Sequence, residues 1–130
     1  MTKYLGIDYG SKRVGIAISD EAGTIAFPRT TLPNDEKLMP QLVALVENEK
    51  IGSIVVGDTR SHGGKDNPVT VEAEAFVTSL QAVVTAPIER VWEMWSSMEA
   101  SRYAEKGNEH KDEAAAAIIL QRFLDMRRAK

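Results

Sequence analysis

Residues 5–20 read L-G-I-D-Y-G-S-K-R-V-G-I-A-I-S-D. Two β-rich runs, residues 3–8 and 13–19, flank Tyr9-Gly10-Ser11-Lys12, whose glycine gives the backbone the freedom of a tight turn, so the stretch predicts a hairpin. In the second run Val14, Ile16 and Ile18 alternate with Gly15 and Ala17, the period of a strand. Asp8 is the one letter out of place. Burying a carboxylate without a partner is among the costliest steps a fold can take. Taken alone, Asp8 also reads as an Asx residue capping the hairpin turn.

Working outward, Asp20 to Gly23 is a second turn and Thr24 to Leu32 a third strand, which makes the start an antiparallel meander. Leu38, Leu42, Leu45, Val46 and Glu49 fall on helical spacing with Asn34 or Asp35 as cap, and Pro40 is tolerable only in or near the first turn. Ile51 to Val56 is an unbroken apolar run ending in Gly57, the mark of a buried strand. Asp58 to Asn67 is a polar, glycine-bearing loop expected to move. Asn67-Pro68 then starts a helix whose Val69, Ala73, Phe76, Val77, Leu80 and Val84 share a face. Ile88 to Trp92 is a fifth strand, Ser96 with Glu99 boxes a short helix to about Lys106, Gly107 stops it, and a last helix runs from about Glu109 to Arg128. The order β-β-β-α-β-α-β-α-α predicts an α/β fold with a mixed sheet and helices on its faces, and such sheets carry their sites at the carboxyl ends of strands.

The 130 residues suit one domain. An apolar fraction of 43% and a charged fraction of 27% are those of an ordinary globular protein. No apolar run approaches the ~18 residues of a membrane span, and residues 1–8 enter a strand pattern without a secretory leader's basic and apolar regions. The absence of cysteine excludes disulfides and thiolate metal sites and fits the cytoplasm. A net charge of −3 gives no global attraction to a polyanion, so such a partner needs a local basic patch or bound metal.

Three acids stand at element ends: Asp8 at the end of strand one, Glu93 directly after strand five, and Asp112 in the first turn of the last helix. On that helix Asp112, Ala116, Ile119 and Phe123 share a face, so Asp112 extends the apolar stripe towards the sheet, and the small residues at 114–117 allow close approach. Singly, Asp112 serves the helix dipole and Glu93 is a solvated charge. Together, acids without sulfur or imidazole select hard cations such as Mg²⁺ or Mn²⁺.

The opening segment, with W-E-M-W-S-S-M-E-A (92–100) and H-K-D-E-A-A-A-A-I-I-L-Q-R-F-L-D (110–125), resembles the YqgF family, also called RuvX. These are bacterial RNase H-like proteins described as Holliday junction resolvases or as nucleases maturing the 5′ end of pre-16S rRNA. The resemblance implies an RNase H-like five-stranded sheet of order 3-2-1-4-5 with an acidic divalent-metal site, and it matches the family's acids to Asp8, Glu93 and Asp112. Where the family reads V-V-G-L-P this chain has Val55-Val56-Gly57-Asp58-Thr59, and related nucleases carry a ligand acid there, so Asp58 is either a fourth ligand or a turn cap. Where the family reads D-E-R this chain has Trp92-Glu93-Met94. The arginine is missing; if it holds a phosphate in the family, this protein must use another cation or bind more weakly.

The resemblance therefore implies metal-dependent hydrolysis of phosphodiesters in precursor rRNA or branched DNA, by a monomer or homodimer in the cytoplasm. Lys12 and Arg13 in the hairpin, Arg60 and Lys65 in the loop, and Lys111 beside Asp112 are the phosphate-contact candidates, each also readable as a surface charge. Trp92 and Trp95 can stack a base or pack in the core. His62 and His110 read as exposed loop residues. Two rivals remain: an ATPase of the actin and sugar-kinase type, suggested by G-I-D-Y-G-S but needing a second domain, and a binding module without catalysis, suggested by Met94.

Overall fold

A computed structural model describes residues 2–58, 68–92 and 111–128. Its elements are β1 (Tyr4–Asp8), β2 (Arg13–Ser19), β3 (Ala26–Pro33), α1 (Leu38–Asn48), β4 (Ser53–Asp58), α2 (Pro68–Val83), β5 (Ile88–Trp92) and α3 (Lys111–Arg128). They form a five-stranded sheet in the order β3-β2-β1-β4-β5. The meander pairs antiparallel, while β1, β4 and β5 run parallel, so Asp8, Asp58 and Trp92 all stand at the same end of the sheet. The predicted α/β class and strand order hold.

Strand alternation divides the core into two layers. Leu5, Ile7, Val14, Ile16, Ile18, Ile54 and Val56 face α1 and α2, where Leu38, Leu42, Phe76, Val77 and Leu80 close the layer. Tyr4, Ala17, Val55 and Val91 face α3, which answers with Ala116, Ile119, Leu120 and Leu124. The α3 side of β1 and β2 is built of small residues. Gly6 pairs with Ala17 and Asp8 with Gly15, and a Cβ on Gly6 would come 2.8 Å from the Leu120 Cβ. The helix backbone therefore rides directly on the strands, closer than the predicted alanine stretch alone would bring it.

Element boundaries moved where a residue had another task. Ile51, read as the first residue of a strand, instead closes α1. Its N–H bonds the Val46 carbonyl at 3.0 Å, and the Lys50 N–H bonds the Glu47 carbonyl at 3.3 Å, the paired bonds of a Schellman stop. Lys50 takes the left-handed position there at φ 55°, and β4 starts two residues later than the apolar run. The third strand begins at Ala26, because the Thr24 N–H and hydroxyl are both held by the Asp20 carboxylate at 2.8 Å. Pro40 is the third residue of α1, inside the first turn, where an amide hydrogen has no helical partner to lose. The helix predicted for 96–106 lies outside the described residues.

Candidate active site

Asp8 is the last residue of β1 and is half-buried. Alternation gives it the parity of Tyr4 and Gly6, so it belongs to the face that α3 covers. Directly opposite on β2 is Gly15. A Cβ built there would lie 1.9 Å from the Asp112 carbonyl oxygen and 3.0 Å from the Glu113 nitrogen. Gly15 is thus an open cradle into which the first turn of α3 settles. Because opposed strand residues hold their Cβ positions about 5 Å apart, the cradle makes Asp8 and Asp112 neighbours across a residue that has no side chain. The first turn of α3 thus brings the Asp112 backbone to the carboxyl end of the sheet, beside the strand pair that carries Asp8.

The hairpin beside them is fastened on two sides. The Tyr9 ring lies 4.9 Å from that of Phe76 on α2, and the Ser11 hydroxyl donates to Glu72 at 2.9 Å. On the other side the Asn34 side chain donates to the Gly10 carbonyl at 2.8 Å, and the Asn34 N–H to that of Lys12 at 2.9 Å. Lys12 and Arg13 leave this fixed support as exposed cations. Arg13 is also tied inward, its Nε donating to Oδ2 of Asp112 at 2.8 Å. The side chains of the pair are 58% and 28% exposed.

Of the other predicted site residues, Asp58 ends β4 with its backbone paired to Trp92. Val91 packs in the α3 layer two residues before Glu93, and Glu93, Arg60 and Lys65 lie outside the described residues. Lys111 is the first residue of α3. Among the described residues no three of His, Cys, Asp and Glu gather at one point. Asp8 and Asp112, whose backbones the cradle brings to the same end of the sheet, are oxygen donors only, the ligand chemistry of a hard divalent cation.

The far end of the sheet has a different character. A groove of 490 Å³ lined by residues such as Lys3, Phe27, Arg29 and Glu49 lies there, away from the paired acids. Backbone and hydroxyl donation from Thr24 holds the Asp20 carboxyl below its usual range, and the hydrogen bond from Lys3 does the same for Glu49. Sequence reasoning missed the cradle at Gly15, the Asn34 clasp and the Arg13 contact. Only the first had a signal: Gly15 and Ala17, the small residues of the alternating second strand, share one parity.

A mixed sheet of this order, with helices on both faces, has the architecture of an RNase H-like domain. Among solved structures, Thermus thermophilus RuvC in complex with a Holliday junction substrate superposes with a TM-score of 0.68 over 98% of this chain and 96% of that one, at 12% identity. The fowlpox virus resolvase with junction DNA gives 0.62 over 96% and 98%, at 9% identity. Residues 2–126 match the family model RuvX, described as Holliday junction resolvase. The chain belongs to the RuvX family. Relatives include proteins of Nitratidesulfovibrio vulgaris, 38% identical over 95% of this chain and 94% of that one, and of Chloroflexus aggregans, 36% identical over the same shares. Both bear the name "Putative pre-16S rRNA nuclease". Among the described residues no helix is long and apolar enough to cross a membrane.

Proposed function

We propose that this protein is a divalent-metal-dependent nuclease, with Asp8, Glu93 and Asp112 holding Mg²⁺ or Mn²⁺ and Asp58 as a fourth ligand. The observation that supports the proposal is the seating of the Asp112 backbone on Gly15, the residue paired with Asp8. When bound, the ion supplies an activated water and neutralises charge on the scissile phosphate. The acids fix its position; Lys12 and Arg13 on the braced hairpin, with Lys111, Arg60 and Lys65, hold the phosphates on either side. Backbone contacts of this kind carry no sequence information, so the substrate is chosen by shape.

The names of the relatives favour precursor 16S rRNA, and the fold neighbours keep junction DNA as the competing substrate. The reading puts the whole activity in one domain over residues 1–130. Asp8→Asn should abolish Mn²⁺-dependent cleavage of precursor rRNA or branched DNA while leaving the circular dichroism spectrum intact. Cleavage at the wild-type rate would reject the assignment. Met94 at the family's arginine position favours a second reading, a nucleic-acid-binding module without turnover. That reading requires binding to persist in EDTA and no cleavage with any divalent ion.

A further inference from the structure

We infer that Arg13 is a positioning residue that couples the metal site to the substrate: its Nε orients the Asp112 carboxylate while its outer nitrogens receive a phosphate. The inference rests on the metal-site reading and extends it. The atom that bonds Oδ2 of Asp112 is Nε, on the inner edge of the guanidinium, at 2.8 Å. A bond from Nε uses one of the five donors of the planar group and leaves the fork of Nη1 and Nη2 pointing away from the carboxylate. With 58% of the Arg13 side chain exposed, the group is open to an arriving phosphate. On Asp112 the contact occupies Oδ2, and Oδ1 is the oxygen left for a cation.

The surroundings support an oriented guanidinium rather than a casual surface pair. Arg13 is the first residue of β2 and is paired with Pro33 of β3, while the preceding turn is clasped by Asn34 and by α2. Asp112 is fixed by the cradle at Gly15. Both ends of the contact thus start from backbone that is braced by other elements. The arrangement also answers the missing arginine at position 94, since a cation one bond from a ligand carboxylate can meet the same phosphate. A lysine meets a phosphate as a point charge, without the planar fork that grips it bidentately, so it takes the second part less well.

The test is Mn²⁺ binding to the full chain without nucleic acid, followed by electron paramagnetic resonance, together with binding of an RNA hairpin in EDTA. Groups that orient a ligand from behind typically contribute 10–100-fold to metal affinity, so Arg13→Met should weaken Mn²⁺ binding by about that factor. Arg13→Lys should recover most of the Mn²⁺ affinity while its RNA affinity stays well below wild type. Mn²⁺ affinity in Arg13→Met equal to or tighter than wild type would overturn the inference, since the guanidinium would then be a bystander or a competitor of the ion. Equal RNA affinity of Arg13→Lys and wild type would overturn the coupling. Wild-type protein that binds no Mn²⁺ would instead remove the metal-site reading and the inference with it.

Discussion

Replacing Gly15 with alanine would set a methyl carbon 1.9 Å from the carbonyl oxygen of Asp112, where ordinary contact begins at 3.4 Å. The obstacle is helix backbone, which cannot rotate aside as a side chain does, so the first turn of α3 must retreat by an amount on the order of 1 Å. Overpacking of this kind costs about 1–3 kcal/mol. The larger effect falls on the site, because misplacing one catalytic group by ~1 Å can lower a rate by about 10²-fold. The assay pairs thermal unfolding with Mn²⁺ binding and cleavage of precursor rRNA, all below the unfolding transition. The comparator is Leu42→Ala, which empties a fully buried position on the opposite layer and costs about 2–5 kcal/mol without touching the acids. Gly15→Ala should be the more stable of the two and by far the less active. Wild-type metal affinity and cleavage in Gly15→Ala, or an equal loss in Leu42→Ala, would refute the argument that the cradle sets the site.

Other outcomes follow from the scaffold. Lys50→Gly should raise stability by up to about 1 kcal/mol in urea unfolding, because glycine accepts the φ of 55° that strains lysine. Gln121→Ala should lower it by about 1–2 kcal/mol, since the side-chain amide bonds the Ala26 N–H at 2.8 Å and the Thr24 carbonyl at 3.0 Å and so staples the start of β3 to α3. The lowered Asp20 pKa predicts a pH effect of definite sign. The native state favours the carboxylate, so its contribution is complete above the ordinary value of 3.8 and is lost as the pH falls through the lower native value. Asp20→Asn should therefore flatten the melting-temperature profile in acid; a variant whose profile keeps the wild-type slope contradicts this.

The strands and a mixed sheet with helices on its faces were legible because Val14, Ile16 and Ile18 alternate with small residues and because the apolar run at 51–56 is bounded by a glycine, while the strand order came from the family resemblance. Hydrophobicity told where apolar residues are but not which task each performs. Ile51 is apolar because it closes a helix stop, and Thr24 is β-branched yet belongs to the Asp20 turn. At the site, Asp8 stood out as a carboxylate ending an apolar strand and Asp112 by its place on the apolar face of the last helix. The contact of Arg13 with Asp112 spans 99 residues, and no local pattern encodes so distant a pairing. Gly15 stood in the sequence as one small letter of an alternating strand; that it receives a helix backbone follows only once α3 is laid across the sheet.

The central claim is that Asp8 and Asp112 share a cation, and a crystal soaked in Mn²⁺ tests it most directly. The account predicts one anomalous peak in contact with an oxygen of each, at the roughly 2.0–2.2 Å of such bonds, and its disappearance in Asp112→Asn. A peak that touches neither carboxylate, or carboxylates directed to separate places with no ion between them, would contradict it.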